Sequence, residues 1–269
     1  MNSNVLILRH GNCSDGAGAA YAAWKKFGDS AEYVEVHYGN PPPDVTGREV
    51  YILDFSYKRE VLREMYNKAE SLLVLDHHKT AQEDLADLDF AVFDMNRSGC
   101  VMAWEHFHPY SPTPLGLLLI QDRDLWRFVD PLTRPFGAAL RAFVTSDFND
   151  WDSNMCAYDA RKLAKRGEDL LMVADQEVAA LVKRAHPVNI YGFVGLACNA
   201  PTKHASDLGN ALAKQSGTFG LVYSYDGNTK EWQYSLRSIG DYDVSVIAKQ
   251  FGGGGHKNAS GMSSKELIV

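Results

Sequence analysis

Three short stretches place histidine and aspartate directly behind apolar runs. His10 follows Val5–Arg9, Asp54 follows Val50–Leu53, and Asp76-His77-His78 follows Leu72–Leu75. Asp15 stands five residues beyond His10, beside Gly16 and Gly18, which leave room for a ligand to approach the backbone. Imidazole and carboxylate donors without thiolate suit Mn2+, Fe2+, Zn2+ or Mg2+, and a carboxylate-rich set leans towards Mn2+ or Mg2+. Two such ions roughly 3.5–4 Å apart bind a phosphoryl group, lower the pKa of a bridging water and steady the leaving oxygen. The plain alternative for each aspartate is a helix cap or a turn, and the residue types leave both readings open. The adjacent pair His77 and His78 is harder to explain that way. His37, His106, His108 and His186 carry no assigned role.

For these residues to meet, the runs before them must be neighbouring strands. Val5–His10, Val50–Phe55 and Leu72–Leu75 are apolar almost throughout, and helical patterns at Gly16–Lys26 and Lys58–Glu70 separate them. Tyr33–Tyr38 alternates at period two, and Gly39–Gly47, with three consecutive prolines, reads as a loop. Continuously apolar strands separated by helices predict a parallel sheet covered on both faces. Ligands bind such a sheet beyond the carboxyl ends of its strands, where all three segments lie.

Leu163, Leu170, Ala174, Val178, Leu181 and Val182 then recur at helical spacing, predicting a connector helix over 159–187 that His186-Pro187 ends. Strand-like runs follow at Ile190–Ala197, Phe219–Tyr225 and Trp232–Arg237, with a turn at Asp226-Gly227-Asn228 and a short helix at Val244–Gln250. The fold class is therefore α/β. An N-terminal parallel sheet flanked by helices (1–158) precedes the connector (159–187) and a smaller mixed α/β domain (188–269).

The totals narrow the function. No run of 18 apolar residues occurs, which argues against a membrane span. The N-terminal stretch Met1–Leu8 has no basic region of a secretory signal and reads as the first strand. Four scattered cysteines without a C-x-x-C pair give neither a thiolate zinc site nor a disulfide framework, and point to a reducing, cytoplasmic setting. A net charge of −7 without a Lys/Arg run argues against a partner such as long duplex nucleic acid and favours a small phosphorylated substrate. A homodimer is one assembly this reading allows.

Leu72-Leu73-Val74-Leu75-Asp76-His77-His78 resembles the signature of the DHH phosphoesterase superfamily. Gly252–Gly255 with His256-Lys257-Asn258-Ala259-Ser260-Gly261 resembles the GGGGH motif of its C-terminal DHHA1 domain, and Ser235-Leu236-Arg237-Ser238 the strand carrying a substrate-binding arginine there. The resemblance implies a DHH-type catalytic domain, a connector helix and a DHHA1-type substrate-binding domain. It implies two metal ions, Mn2+ first and Mg2+ or another divalent ion second, held by His10, Asp15, Asp54, His77 and Asp122, with Asp124 the competing choice for the last position. Asp54 would bridge both ions, Asp76 would orient His77, and His78 would contact the scissile phosphate. Asn96-Arg97-Ser98-Gly99 resembles a substrate-side segment whose backbone N–H groups hold phosphate at a helix start. Arg237, His256 and the amides of Gly253, Gly254 and Gly255 would hold another phosphate of the substrate. One departure stands out. The first motif of the family usually offers two aspartates separated by one residue, whereas here Asn12 or Cys13 stands near the missing carboxylate and only Asp15 remains. That points to an unequal hold on the two metals.

The resemblance, narrowed by the size and acidity of the chain, implies a divalent-metal-dependent phosphodiesterase that hydrolyses short oligonucleotides or linear dinucleotides to nucleoside monophosphates through a metal-activated hydroxide. A phosphatase or exopolyphosphatase shares the metal site and differs in what the C-terminal domain accommodates. A non-catalytic nucleotide-binding regulator with a decayed metal site is the reading from another class.

Overall fold

Five short strands, β1 (Val5–His10), β2 (Glu32–Val36), β3 (Glu49–Leu53), β4 (Ser71–Asp76) and β5 (Ala91–Phe93), pair in parallel in the order β2-β1-β3-β4-β5. The computed structural model describes residues 4–269; Met1–Ser3, part of the stretch considered above for a targeting signal, lie outside the described residues. The helices are α1 (Ser14–Phe27), α2 (Arg59–Lys68), α3 (Lys79–Leu85), α4 (Gly99–Phe107), α5 (Leu115–Asp124), α6 (Thr133–Phe143), α7 (Phe148–Met155) and α8 (Ala157–Val182).

Each apolar strand feeds two cores, because successive side chains point to opposite faces. Leu6, Leu8, Val50, Ile52, Leu72 and Val74 pack with Leu62 and Met65 of α2 and Leu85 of α3. Ile7, Leu53 and Leu75 pack on the other face with Ala19, Ala20 and Ala23 of α1, Cys100 and Val101 of α4, and Leu117 and Ile120 of α5. This is the doubly covered parallel sheet that the apolar runs predict. The strand order reverses between β1 and β3, since the chain passes from β1 outward to β2 and then returns to the other side. A crevice opens at such a switch point beyond the carboxyl ends of the strands.

The chain divides into two units between Leu171 and Met172, inside α8. In the first unit α8 buries Ala160, Leu163, Ala164 and Gly167; in the second, Val178, Leu181 and Val182 pack against an apolar cluster containing Leu208 and Leu212. The second unit adds β6 (His186–Ile190), β7 (Phe193–Asn199), α9 (Ala205–Ser216), β8 (Phe219–Asp226), β9 (Glu231–Ser238), α10 (Ser245–Lys249), β10 (Gly254–His256) and β11 (Ala259–Ser264). Its mixed sheet runs β10-β11-β9-β8-β7-β6, with β7 and β8 parallel and the other pairs antiparallel.

Two expectations change here. The helix stops at Val182, and His186-Pro187 opens β6 instead of closing the helix; an edge strand tolerates proline because one side of its backbone makes no ladder bonds. The single strand expected at Ile190–Ala197 is a hairpin that turns at Tyr191 and Gly192, with φ of 48° and 92°. Gly192 N–H donates to Asn189 Oδ1 at 2.8 Å, which stabilises that turn without the Asn-Gly or Asp-Gly pair that usually announces one.

Candidate metal centre

His10 ends β1, Asp54 follows β3 directly, and Asp76 ends β4, so three adjacent parallel strands deliver their polar residues to one edge of the sheet. Asp54 takes φ of 56°, left-handed for a non-glycine residue, and its N–H donates to Leu75 O at 2.9 Å. Aspartate and asparagine accept this conformation more readily than other side chains. The backbone turn places the carboxylate between two imidazoles. Asp54 Oδ1 lies 3.1 Å from His77 Nε2, and Oδ2 lies 3.5 Å from His10 Nδ1. His77 Nε2 also lies 3.3 Å from Asp15 Oδ2 and 3.4 Å from Asp124 Oδ2. Two donor sets lie within the first unit among the described residues: His10, Asp54 and His78 in one, Asp15, His77 and Asp124 in the other, with the atoms of each set within 4.8 Å of one another.

The residues fit divalent cations. His10 Nδ1, Asp54 Oδ2 and Asp124 Oδ2 are buried and make no hydrogen bond, and a buried polar atom without a partner is costly unless something else binds it. Donors that share a cation at about 2.1 Å stand roughly 3 Å apart, which is the spacing seen around His77. Imidazoles with carboxylates are the donor types of Mn2+, Fe2+, Zn2+ and Mg2+.

Protonation compensates the crowded acids when no cation is bound. Burial would lower the pKa of His77, but hydrogen bonds to Asp15 and Asp54 and the charge of Asp124 push it up to about 12. Burial and the neighbouring Asp15 push Asp124 up to about 7. For Asp15 burial acts upward, yet the His77 contact and the Cys100 N–H hold it below the usual carboxylate range.

Helix starts and glycines hold the acids in place. Asp15 Oδ2 accepts from Gly99 N–H at 2.6 Å and Oδ1 from Cys100 N–H at 2.9 Å, so the carboxylate caps the N-terminus of α4. A Cβ at Gly16 would lie 2.4 Å from His10 O, and one at Gly18 2.9 Å from Cys100 Cβ. These glycines therefore admit other chain segments, not the ligand approach expected from sequence. Asp76 is fully buried. Its Oδ1 accepts from His77 N–H (2.7 Å), from His78 N–H (3.2 Å) and from the His78 ring at Nδ1 (2.6 Å), while Oδ2 accepts from Ser56 Oγ at 2.6 Å. The ring that Asp76 orients is thus that of His78, and it reaches His77 through the backbone. Nothing in the sequence marks Ser56 for this role beyond its position two residues past Asp54.

Burial would lower the pKa of His78, but the charge and hydrogen bond of Asp76, with Asp54 behind, raise it to about 9. Because this lies above the ordinary value of 6.5, the pair stabilises the metal-free fold fully below pH 6.5 and that stabilisation is lost as pH rises through about 9. Asp76→Asn is expected to bring the His78 titration down, read by NMR of the ring protons, and to flatten the alkaline side of the stability profile. A titration still near 9 in that variant would remove Asp76 as the cause.

Asp122 and Asp124 both lie in the last turn of α5, and two positions along a helix point about 200° apart, so only one can face the centre. Asp124 does. Asp122 instead accepts from Val129 N–H (3.0 Å), Asp130 N–H (3.2 Å) and Thr133 Oγ1, bracing the loop that leads into α6. Asp122→Ala should therefore cost about 1–2 kcal/mol in denaturant unfolding and keep wild-type metal content, whereas Asp124→Ala should lose metal. The reverse pattern would restore Asp122 to the site.

The segment ahead of α4 also differs from expectation. Ser98 is buried and its N–H donates to Gln121 Oε1 at 3.0 Å, while the next two amides serve Asp15. Those N–H groups are engaged internally and are not available to phosphate. Arg97 pairs with Asp94 and Glu105, and Asn96 is exposed with its N–H on Asp94 Oδ1. Of the two residues near the missing first-motif carboxylate, Asn12 donates its N–H to Glu35 Oε1, and Cys13 lies among the acids. Burial and the charges of Asp54, Asp124 and Asp15 raise the Cys13 thiol well above its ordinary pKa.

In the second unit, His256 pairs with Ala259 and Ala259 with Arg237, so Arg237 and His256 stand on one rung, two strands apart, on the same face of the sheet. Arg237 Nη2 donates to Ser206 Oγ at 3.0 Å, and the side chain lies against Gly209, where a Cβ would approach Arg237 Cγ to 2.8 Å. The glycine run is ordered by pairing, not loose. Gly254 and Gly255 pair with Gly261 and Ser260, and Gly253 N–H donates to Ala248 O at 2.9 Å, so that amide is already used.

A family model described as the DHHA1 domain matches residues 190–268. An uncharacterized protein, R106, of Acanthamoeba polyphaga mimivirus is 36% identical over 285 residues, covering 96% of this chain and 67% of the viral one. Oligoribonuclease NrnB of Bacillus subtilis is 37% identical over 106 residues, which is 38% of this chain and 26% of that protein. Among solved structures, a DHH domain described as a member of the s1p family of ribosomal proteins aligns over 96% of this chain and 82% of its own. Its TM-score is 0.51 at 12% identity, a likeness of fold.

Proposed function

The chain belongs to the DHH/DHHA1 superfamily, and on that premise we propose that it is a divalent-metal-dependent phosphodiesterase of short oligonucleotides or linear dinucleotides, releasing nucleoside monophosphates. The observation that carries the reading is the meeting of the two donor sets at the Asp54–His77 contact. The similarity of part of the chain to an oligoribonuclease supports the choice of short RNA.

Bound divalent ions supply positive charge to the phosphoryl oxygens and acidify a water molecule. His10, Asp15, Asp54, His77 and Asp124 are the residues that would hold them, and Mn2+ is the ion we assign first. His78 has its Nδ1 on Asp76, so its contact to a phosphoryl oxygen falls to Nε2. Arg237, preset by Ser206, and His256 present charge and hydrogen-bond donors to a further phosphate of the substrate.

Among the described residues no helix is long and apolar enough to cross a membrane; a cytoplasmic enzyme, working alone or as a homodimer, is the setting we propose. The test is a panel of 5′-phosphorylated di- to tetranucleotides, linear dinucleotides, pyrophosphate and tripolyphosphate, assayed with Mn2+, Mg2+ and a chelator. Cleavage of the nucleotides to monophosphates, abolished by the chelator, is expected. Turnover of polyphosphate with nucleotides left intact would assign a phosphatase or exopolyphosphatase instead, and tight binding without turnover in any metal a regulator.

A further inference from the structure

Beside the first donor set stands an aromatic side chain with no part in holding metal. Tyr38 follows the carboxyl end of β2, the strand next to β1, and its ring centroid lies 5.4 Å from that of His10 and 6.5 Å from that of His78, both edge-on. Beneath it lies Phe55, fully buried, at 4.6 Å. Yet Tyr38 remains 59% exposed. The ring therefore lies against the core at Phe55 and close to both histidines, while much of the residue stays open to solvent.

The backbone fixes this presentation. Gly11 N–H donates to Val36 O at 2.9 Å and carries the β1–β2 pairing one step past His10. A β-turn then closes with Asn40 N–H on His37 O at 3.2 Å, and Gly39 takes φ of 89° at its third position, as a type II turn requires. Tyr38 occupies the second position. Exposure alone does not set Tyr38 apart, since Tyr110, Tyr158 and Tyr191 are more exposed; what does is an open aromatic on a built support beside the two histidines, where a flat apolar ligand group could cover it.

We infer that Tyr38 is the stacking platform for a nucleobase of the substrate, one sugar away from the phosphate held near His10 and His78, and that it selects nucleotides over phosphoesters without a base. The inference rests on the phosphodiesterase reading and names what that site selects. A stacked base contributes roughly 1–3 kcal/mol, a factor of about 5–150 at 1.36 kcal/mol per tenfold.

The test compares wild type, Tyr38→Phe and Tyr38→Leu on a dinucleotide and its two singly abasic analogues, with metal content measured for each. In Tyr38→Leu the ratio of kcat/KM for intact over one abasic substrate should fall roughly 5- to 150-fold, mainly through KM, and Tyr38→Phe should restore it. An equal loss on intact and abasic substrates, or a loss that tracks metal content, would make Tyr38 a shield for His10 and overturn the inference. A second readout is the fluorescence of a 2-aminopurine dinucleotide added in Ca2+. Quenching that disappears in Tyr38→Leu supports stacking even if the dinucleotide is never hydrolysed, in which case only the phosphodiesterase reading fails. Equal quenching in both proteins, or none in either, overturns the stacking role.

Discussion

Asp54→Asn is expected to lose divalent metal while keeping the metal-free fold. Asparagine adopts the left-handed backbone as readily as aspartate, so the turn at φ of 56° and the N–H bond to Leu75 O survive. What disappears is the carboxylate that faces His77 with one oxygen and His10 with the other. Replacing residues that merely support metal ligands costs 10- to 100-fold in affinity; loss of a donor of one set that also touches His77 of the other should cost at least about 100-fold. Calorimetric titration with Mn2+ and elemental analysis measure it directly. The same substitution removes one of the charges that raise Asp124 to about 7, so the Asp124 carboxyl should titrate lower in the variant. Wild-type affinity for two ions in Asp54→Asn would exclude a shared role for this residue.

That prediction draws on a residue legible in the sequence, whereas its surroundings were not. The three strands behind His10, Asp54 and Asp76 could be read because a strand buried on both faces is apolar at every position. Parallel pairing then forces their ends together. The Asp76-His77-His78 run could be read because three polar residues behind such a strand have few structural uses. The choice between Asp122 and Asp124 depended on the rotation of α5, which is set by packing at Leu117 and Ile120 and by no feature of the Gln121–Asp124 sequence itself. The pairing of Asp15 with the amides of Gly99 and Cys100 joins residues more than 80 positions apart, and periodicity carries no information across that separation. The same holds for α9, whose glycine at 209 makes sense only against Arg237 on β9. Local chemistry and the family resemblance named candidate donors; long-range packing decided which of them meet and how each is held.

Gly99→Ala tests how tightly that packing holds them. The added methyl would lie 2.4 Å from Asp54 Cβ, 2.9 Å from Asp54 Cα and 3.0 Å from Asp15 Oδ2. Two of these atoms are the Cβ and Cα of Asp54, and the third ends a side chain that is tied down by hydrogen bonds. Asp54 is fixed by its left-handed turn, and Asp15 by the two amides at the start of α4. The helix must therefore retreat from the sheet, and in doing so it draws the capping amides away from Asp15 or carries Asp15 away from His77. Overpacking of this kind costs about 1–3 kcal/mol, visible as a lower denaturation midpoint. The effect on function should be larger than the stability cost implies, since a misplacement of roughly 1 Å in a reacting constellation costs about 100-fold. Glycine here thus serves the site rather than the helix, because alanine is the better helix former by up to about 1 kcal/mol. If Gly99→Ala proved as stable as wild type and bound metal with unchanged affinity, the close contact of α4 with Asp54 would have no part in shaping the centre.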